Sequence, residues 1–202
     1  MPESSESFED LLGSVLLRLA INLNTQQVNQ LSFHYRLLMQ WNRKMNLSAI
    51  REPEEVVLRH FGESLFLAKS LPDAVGTMVD VGSGAGFPGV PVAVYRPNFH
   101  VTLVESIAKK ATFLREATRE LRNVRVLNAR AETLEKHFDW VAMRAVASAP
   151  VLPRLTELAP NLALLVTHPA VAELQHATKI SWQSPQLLPW SQERVLLIGR
   201  RA

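Results

Sequence analysis

The chain has 202 residues, of which 47% are hydrophobic, and carries a formal net charge of +3. This length allows one full hydrophobic core with a small appendage, and it is too short for two domains of average size. The absence of cysteine excludes disulfides, cysteine-ligated zinc, iron–sulfur clusters and a thiolate nucleophile.

The N-terminal third of the chain is predicted to be helical. Between residues 7 and 71, apolar residues recur at three- and four-residue spacing, and no alternating stretch interrupts them. One of these helices is predicted to begin at Pro53, because proline lacks the N–H that a first turn leaves unpaired. The negative charges of the neighbouring Glu54 and Glu55 are stabilised by the positive end of the helix dipole, which lies at the helix N-terminus. We therefore predict a helical extension over residues 1–72, packed on a core formed by residues 73–202.

From Thr77 onward, short β-rich runs alternate with helical ones. Strands are predicted at 77–81, 101–104, 124–127, 140–143, 162–167 and 195–198, and helices at 90–95, 108–121 and 151–158. This alternation predicts a doubly wound α/β fold, with a mainly parallel sheet and ligands bound at the carboxyl ends of its strands. The segment 179–200 carries two strand-like runs without a helix between them, which predicts an antiparallel hairpin at a sheet edge.

A glycine-rich loop, with the sequence VDVGSGAGFPG over residues 79–89, joins the first predicted strand to the next helix. Such a loop lets the backbone approach a ligand closely. The spacing Gly84-x-Gly86-x-x-Gly89 satisfies the dinucleotide fingerprint, and Glu105 lies where a ribose-binding acid is expected. The alternative is a turn that serves only strand–helix packing.

The acid before the loop favours S-adenosylmethionine over a dinucleotide. A pyrophosphate-binding loop avoids fixed negative charge, because its ligand is a dianion. S-adenosylmethionine carries an ammonium and a sulfonium group, which match Asp80 followed by Gly82, Gly84 and Gly86. Glu105 can accept hydrogen bonds from ribose hydroxyls under either hypothesis.

Several more specific motifs lie between residues 41 and 148: Trp41-Asn42, Arg59-His60, the Gly-Phe-Pro-Gly end of the glycine loop, Lys109-Lys110, Arg130-Ala131-Glu132 and Arg144-Ala145. Together they resemble the small-subunit ribosomal RNA guanine-N7 methyltransferases, a family also called glucose-inhibited division protein B or RsmG. The resemblance implies a class I, Rossmann-like methyltransferase that uses S-adenosylmethionine to methylate N7 of a guanine in 16S ribosomal RNA.

The resemblance also implies site residues. Gly82 and Phe87 are expected to line the cofactor pocket, and Ala131 and Glu132 to meet the adenine. Arg144 is expected where the methyl donor meets the RNA. The Glu132 carboxylate can accept a hydrogen bond from the adenine amino group, although an acid at a helix N-terminus has an ordinary dipole role as well.

The predicted chemistry needs little help from side chains. Guanine N7 carries an in-plane lone pair and no proton, so no general base is required and catalysis comes mainly from positioning. We assign the catalytic role to Arg144, whose guanidinium can donate to guanine O6 while N7 stays free. The alternative is an ion pair of Arg144 with Asp139 or Glu132.

Positive charge is concentrated in one stretch. Residues 107–130 hold seven basic and two acidic side chains, which fits a polyanion but also an ordinary solvated helix face. The residues predicted to contact RNA phosphates are Arg59, His60, Lys109, Lys110, Arg115, Arg119 and Arg130. Such contacts supply affinity without sequence information, so binding should weaken with salt.

The chain departs from the family after the fifth predicted strand, where relatives carry Lys-Gly and this chain carries Thr167-His168. Either His168 replaces the lysine in contacting RNA, or the substrate is bound more weakly. This departure suggests, as one alternative function, a cofactor-binding RNA-binding relative with weak or no turnover. A small-molecule methyltransferase and an NAD-dependent oxidoreductase are further alternatives.

The expected partner is 16S ribosomal RNA or the small ribosomal subunit. The six histidines show no metal-ligand spacing, so we expect no metal. No apolar run approaches the roughly 18 residues of a membrane helix, and the first ten residues are acidic rather than basic. We expect a monomer in the cytoplasm with no membrane contact.

Overall fold

The computed structural model describes residues 6–135, 137–144, 149–176 and 179–202. Its N-terminal part consists of α1 (Phe8–Leu19), α2 (Thr25–Asn42), α3 (Pro53–Val56), a π-helical segment (Val57–Gly62) and α4 (Glu63–Ser70). Both α1 and α2 begin at a capping box. The side chain of the N-cap residue accepts a hydrogen bond from the backbone N–H three residues later, and the side chain of that later residue accepts one from the N-cap N–H. The predicted helix start at Pro53 is confirmed.

The π-helical segment lies within one continuous helix from Pro53 to Ser70. Such segments are rare and occur frequently at functional sites. This one contains Arg59 and His60 and ends at Gly62. A Cβ atom on Gly62 would lie 2.9 Å from Cζ2 of Trp190, so glycine is what allows the indole to pack against the helix here.

The described residues after α4 form a sheet and the helices that cover it. The strands are β1 (Gly76–Val81), β2 (Phe99–Val104), β3 (Val124–Leu127), β4 (Trp140–Arg144), β5 (Asn161–Thr167), β6 (Ile180–Trp182), β7 (Gln186–Leu187) and β8 (Arg194–Arg201). The helices are α5 (Gly89–Tyr95), α6 (Ala108–Ala117), α7 (Leu152–Leu158) and α8 (His168–Gln175), with short 3₁₀ turns at Ala131–Thr133 and Ala149–Val151. All six predicted strands are confirmed.

The strand order is β3-β2-β1-β4-β5-β8-β6, with β7 also paired to β8. Strands β1 to β5 are parallel, and β8 runs antiparallel to β5, β6 and β7. The predicted antiparallel pairing at the end of the chain is confirmed. From β1 the sheet continues through β2 and β3 on one side and through β4 and β5 on the other. At such a switch point, ligands bind in a crevice outside the carboxyl ends of the strands, here those of β1 and β4.

Two helices differ from the sequence-based prediction. Helix α6 ends at Ala117 and not at residue 121, because Thr118 leaves helical geometry and its carbonyl accepts from the N–H of Leu121 in a turn. Helix α8 was not predicted. It buries only Val171 and Leu174, and two apolar positions are too few to establish a helical period.

The core has one cluster on each face of the sheet. Phe61, Leu65 and Phe113 belong to the cluster that the N-terminal helices share with α5 and α6. Leu155 and Leu174 belong to the other, under α7 and α8. Burying a large apolar side chain contributes roughly 1.5–3 kcal/mol, so α1 to α4 and the sheet stabilise one another.

A domain boundary between residues 72 and 73 stays a prediction. No helix in the described ranges is long and apolar enough to cross a bilayer.

Candidate functional site

Three glycines shape the loop that follows β1. Gly82, Gly84 and Gly86 have φ values of 71°, 57° and 93°, a region that residues with a Cβ atom rarely adopt. A Cβ on Gly82 would meet no atom within 4 Å, and one on Gly84 would meet only a carbonyl oxygen at 3.8 Å. A Cβ on Gly86 would lie 2.7 Å from a methyl of Val90. The first two glycines therefore expose open backbone to a ligand, and the third allows the loop to pack on α5.

Two buried carboxylates hold this loop. Oδ2 of Asp80 accepts from the N–H of Gly89 at 2.9 Å, while its Oδ1 is buried with no hydrogen-bond partner. Burial raises the pKa of Asp80 to about 7, against the opposing effect of the Gly89 N–H. Glu105 accepts from the N–H of Gly84 at 3.0 Å and from that of Ile107 at 2.8 Å. Both acids predicted to bind the cofactor thus support the glycine loop, and their contacts with a ligand stay predictions.

A cavity of about 280 Å³ opens beside the loop, where β1 and β4 end. One wall is the loop, and the others are the segment after α2, the π-helical segment and the end of β4. Its lining consists of Gly82, Ser83, Gly84, Ala85, Phe87, Leu47, Ser48, Ala49, Ile50, His60 and Arg144. A larger groove of about 740 Å³ runs between α2 and α6, but none of the predicted cofactor residues lines it.

His60 and Arg144 meet at the cavity wall. Nη1 of Arg144 donates to Nδ1 of His60, so the imidazole proton resides on Nε2, which lies 2.7 Å from Oγ of Ser48. Burial, reinforced by the nearby charge of Arg144, lowers the pKa of His60 to about 2. His60 is 5% exposed, which leaves little of the ring open to a phosphate, and its contact with RNA stays a prediction. His60 also forms part of the cavity.

Phe87 is held between two histidine rings. Its centroid lies 4.8 Å from that of His34 and 4.7 Å from that of His60, at interplanar angles of 27° and 17°. His34 is fully buried on α2, and its Nε2 lies 2.8 Å from the carbonyl oxygen of Ala85. Burial lowers the pKa of His34 to about 4. Sequence reasoning missed His34, although it lies within the apolar stripe of α2 between Leu31 and Leu38.

Arg144 also belongs to a buried cluster of charges. Its Nε lies 3.3 Å from Oε2 of Glu63, an ion pair without the alignment of a hydrogen bond. Arg194 donates to both oxygens of the same carboxylate, at 3.1 Å and 2.9 Å. The ion pair considered with Asp139 or Glu132 therefore forms with Glu63 instead. Sequence reasoning missed Glu63 and Arg194, because no local pattern links residues that lie 131 positions apart.

The predicted adenine contacts lie in the 3₁₀ turn after β3. The carbonyl oxygen of Ala131 accepts from Nε of Arg154 at 3.0 Å, and Glu132 is exposed. Of the described residues, neither Ala131 nor Glu132 lines the cavity beside the glycine loop. Their adenine contact stays a prediction. Ala145, the second residue of the Arg144-Ala145 motif, lies outside the described residues.

The predicted RNA contacts are spread over several elements. Arg59 is exposed and pairs with Glu55 at 3.7 Å. Arg119 pairs with Glu116 at 2.7 Å, and its guanidinium lies 5.1 Å from the ring centroid of Phe33. The remaining candidates are exposed, except for the half-buried Lys110: Lys109, Arg115, Arg130 and His168. Exposure makes these side chains available to a polyanion, and their contact with RNA stays a prediction.

In the part of the chain that the structure describes, no group of three or more histidine, aspartate or glutamate side chains is arranged to hold a metal ion. Of the predicted site residues, the fold brings together the glycine loop, Phe87, His60 and Arg144 at the cavity. Asp80 and Glu105 lie behind the loop and accept hydrogen bonds from its N–H groups.

Solved structures with low sequence identity share this fold. A ribosomal protein L11 methylase from Lactobacillus delbrueckii subsp. bulgaricus matches with a TM-score of 0.60 and 11% identity, over 71% of this chain and 79% of that one. TYW2 of P. horikoshii, solved in complex with MeSAdo, matches with a TM-score of 0.56 and 17% identity, over 70% of this chain and 62% of that one. The predicted class I methyltransferase fold is confirmed.

Other proteins share a higher sequence identity with this chain than these solved structures do. Proteins named ribosomal RNA small subunit methyltransferase G are 42% identical in Roseiflexus sp. (strain RS-1) and 43% identical in Alkaliphilus metalliredigens (strain QYMF). The alignments cover 71% and 66% of this chain. They span 64% and 60% of the relatives' own lengths, which is less than two thirds. The family model GidB, described as rRNA small subunit methyltransferase G, matches residues 27–166. The chain belongs to this family, as its sequence motifs predicted.

Proposed function

We propose that this chain transfers a methyl group from S-adenosylmethionine to N7 of a guanine in 16S ribosomal RNA of the small ribosomal subunit. The observation that carries the proposal is the cavity at the ends of β1 and β4, where open glycine backbone and Arg144 face the same space. The names of the relatives support the substrate class.

The residues present fit S-adenosylmethionine. Space over the backbone of Gly82 and Gly84 is open, so a ligand can approach without meeting a side chain. The Glu105 carboxylate accepts two backbone N–H groups and has lone pairs left for ribose hydroxyls. Asp80 keeps one oxygen without a partner, and a cationic ligand would favour its ionised form. We assign the adenine contact to Ala131 and Glu132.

The proposed chemistry depends on positioning. S-adenosylmethionine supplies an electrophilic methyl group, and guanine N7 attacks with a lone pair that carries no proton. The chain therefore needs no general base, and the neutral His60, whose Nδ1 accepts from Arg144, is not required to be one. Arg144 orients the guanine by donating to O6, which leaves N7 free. Holding reacting atoms about 3 Å apart is sufficient for large rate gains.

The substrate is held by charge outside the cavity. Exposed Arg59, Lys109, Arg115 and Arg130 are suited to phosphate contacts, which give affinity and strong salt dependence but no sequence readout. A guanine in a single-stranded loop can then be turned into the cavity. A ribosomal substrate places the proposed activity in the cytoplasm, and we propose that the chain acts there as a monomer.

The test is methyl transfer from labelled S-adenosylmethionine to small subunits purified from cells that lack this modification. The proposal expects label at N7 of one guanine. Label at another atom would overturn the base assignment, and label on small molecules alone would favour a small-molecule methyltransferase. Separate titrations with S-adenosylhomocysteine and NAD test the cofactor, because tight binding of NAD alone would contradict the role of the glycine loop proposed here.

A binding protein with little turnover is the alternative that one local observation favours. Position 167, where the family resemblance leads us to expect lysine, is an exposed threonine at the end of β5, and His168 begins α8 directly after it. If cofactor and RNA bind without turnover, Thr167→Lys should restore methyl transfer. Full activity of the unchanged chain would exclude this alternative.

A further inference from the structure

The first residue of α4 places a buried negative charge behind the cavity. Glu63 is 1% exposed and follows the π-helical segment that carries His60. A buried carboxylate is costly unless opposite charges and hydrogen bonds compensate it. Two arginines do so from different strands, Arg144 at the end of β4 and Arg194 at the start of β8. Glu63 therefore links α4 to both strands.

The two arginines contact Glu63 in different ways. Arg194 donates from Nε to Oε1 at 3.1 Å and from Nη2 to Oε2 at 2.9 Å. This bidentate arrangement fixes the plane of the carboxylate. Arg144 has only its Nε within 3.3 Å of Oε2. Arg194 thus orients the carboxylate, and the carboxylate attracts Arg144.

Arg144 is a mostly buried cation whose charge Glu63 compensates. Its side chain is 14% exposed and faces the positive charges of Arg194 and Arg59. Burial lowers the pKa of its guanidinium, and Glu63 opposes that effect. On the other side of the guanidinium, His60 is neutral and offers only a hydrogen-bond acceptor. Removing the charge of Glu63 would leave two neighbouring cations without a buried counter-ion.

We propose that Glu63 is a positioning residue for methyl transfer, which holds the Arg144 guanidinium at the cavity wall and is itself oriented by Arg194. The inference rests on the proposed function, because it assigns to Arg144 the contact with the substrate base. Displacing a positioning group by about 1 Å can cost about 100-fold in rate. Glu63→Gln, which keeps the shape of the side chain and removes its charge, is expected to lower single-turnover methyl transfer to small subunits by about this factor.

The binding of S-adenosylhomocysteine separates positioning from general damage. Glu63 does not line the cavity among the described residues, so Glu63→Gln should bind S-adenosylhomocysteine within about twofold of the unchanged chain. Glu63→Asp retains the charge but shortens its reach, and it should retain more activity than Glu63→Gln. Asp73→Asn is the matched control, because it removes an exposed carboxylate that pairs with Arg96 at 2.9 Å. This control should not change the rate.

A double-mutant cycle tests whether Glu63 acts through Arg144. If it does, Glu63→Gln should cause no further loss of rate in a chain that already carries Arg144→Ala. An equal loss in both backgrounds would overturn the proposal, as would a near-normal rate of folded Glu63→Gln. If Glu63→Gln does not fold, the comparison of Glu63→Asp with the unchanged chain in both Arg144 backgrounds decides in the same way.

A spectroscopic measurement keeps this inference distinct from the proposed function. Nitrogen-15 NMR of the His60 ring reports the hydrogen bond that its Nδ1 accepts from Arg144. Glu63→Gln should shift this Nδ1 resonance, and Asp73→Asn should not. An unchanged resonance would refute positioning by Glu63, even if small subunits are methylated. A shifted resonance in a chain that methylates no guanine would refute the proposed function and leave the link between Glu63 and Arg144 standing.

Discussion

Replacing Asp80 by asparagine should change how the stability of the fold depends on pH. Asp80 is completely buried behind the glycine loop, and only one of its oxygens accepts a hydrogen bond, from the N–H of Gly89. Burial raises its pKa from 3.8 to about 7. The folded chain therefore retains this proton up to neutral pH, whereas the unfolded chain releases it near pH 4.

The sign and size of the effect follow from linkage. Because the pKa of Asp80 is higher in the folded state, its protonation stabilises the fold fully below pH 3.8, and this stabilisation is lost as the pH rises through 7. At pH 5 the proton contributes about 3 kcal/mol, given 1.36 kcal/mol for each pH unit below the folded pKa, and at pH 9 it contributes nothing. Asparagine does not titrate. Asp80→Asn should match the unchanged chain only below pH 3.8, and its advantage in stability should grow by about 3 kcal/mol between pH 5 and pH 9.

Urea unfolding of both chains at pH 5, 7 and 9 measures this difference. Taking the difference between the chains cancels the titration of other groups, including His34 and His60. Asp73→Asn serves as the control, because Asp73 is exposed and pairs with Arg96, so its effect should not vary over this range. If the difference between Asp80→Asn and the unchanged chain is equal at pH 5 and pH 9, the pKa of Asp80 is ordinary and the reasoning from burial is refuted.

Three further predictions concern the loop and the basic surface. A cationic ligand favours the ionised form of Asp80, so S-adenosylmethionine should bind more tightly at pH 8 than at pH 6 in calorimetric titrations, and Asp80→Asn should remove this dependence. In thermal unfolding, Gly82→Ala should cost about 1–2 kcal/mol for its left-handed backbone alone. Gly89→Ala should cost more, because its Cβ would lie 2.2 Å from a buried leucine methyl group. Equal costs would contradict the packing seen at the two positions. Replacing Lys109 and Lys110 by glutamine should reduce the slope of log affinity for RNA against log salt by about 0.7–0.9 per lysine, and an unchanged slope would show that neither neutralises a phosphate.

Local patterns in the sequence were sufficient for much of the architecture. The strands follow from short runs of β-branched residues, since these pack well on a pleated surface, and the start at Pro53 follows from the chemistry of a first helical turn. The open loop at Gly82 and Gly84 also follows from residue type, because only glycine adopts positive φ without a penalty. Helix α8 was missed, since its buried side is too short to show a period.

The surroundings of Arg144 were decided only by the tertiary structure. The sequence placed this arginine at the end of a strand, yet its ion-pair partner Glu63 comes from a helix, and Arg194 reaches the same carboxylate from β8. His60 looked like a surface cation and is a buried neutral ring. Contacts between residues far apart in the chain depend on how helices and strands pack together, and burial then sets which side chains keep their charge. Residue types and spacing along the chain indicate most of the helices and strands, but these local patterns do not show either effect.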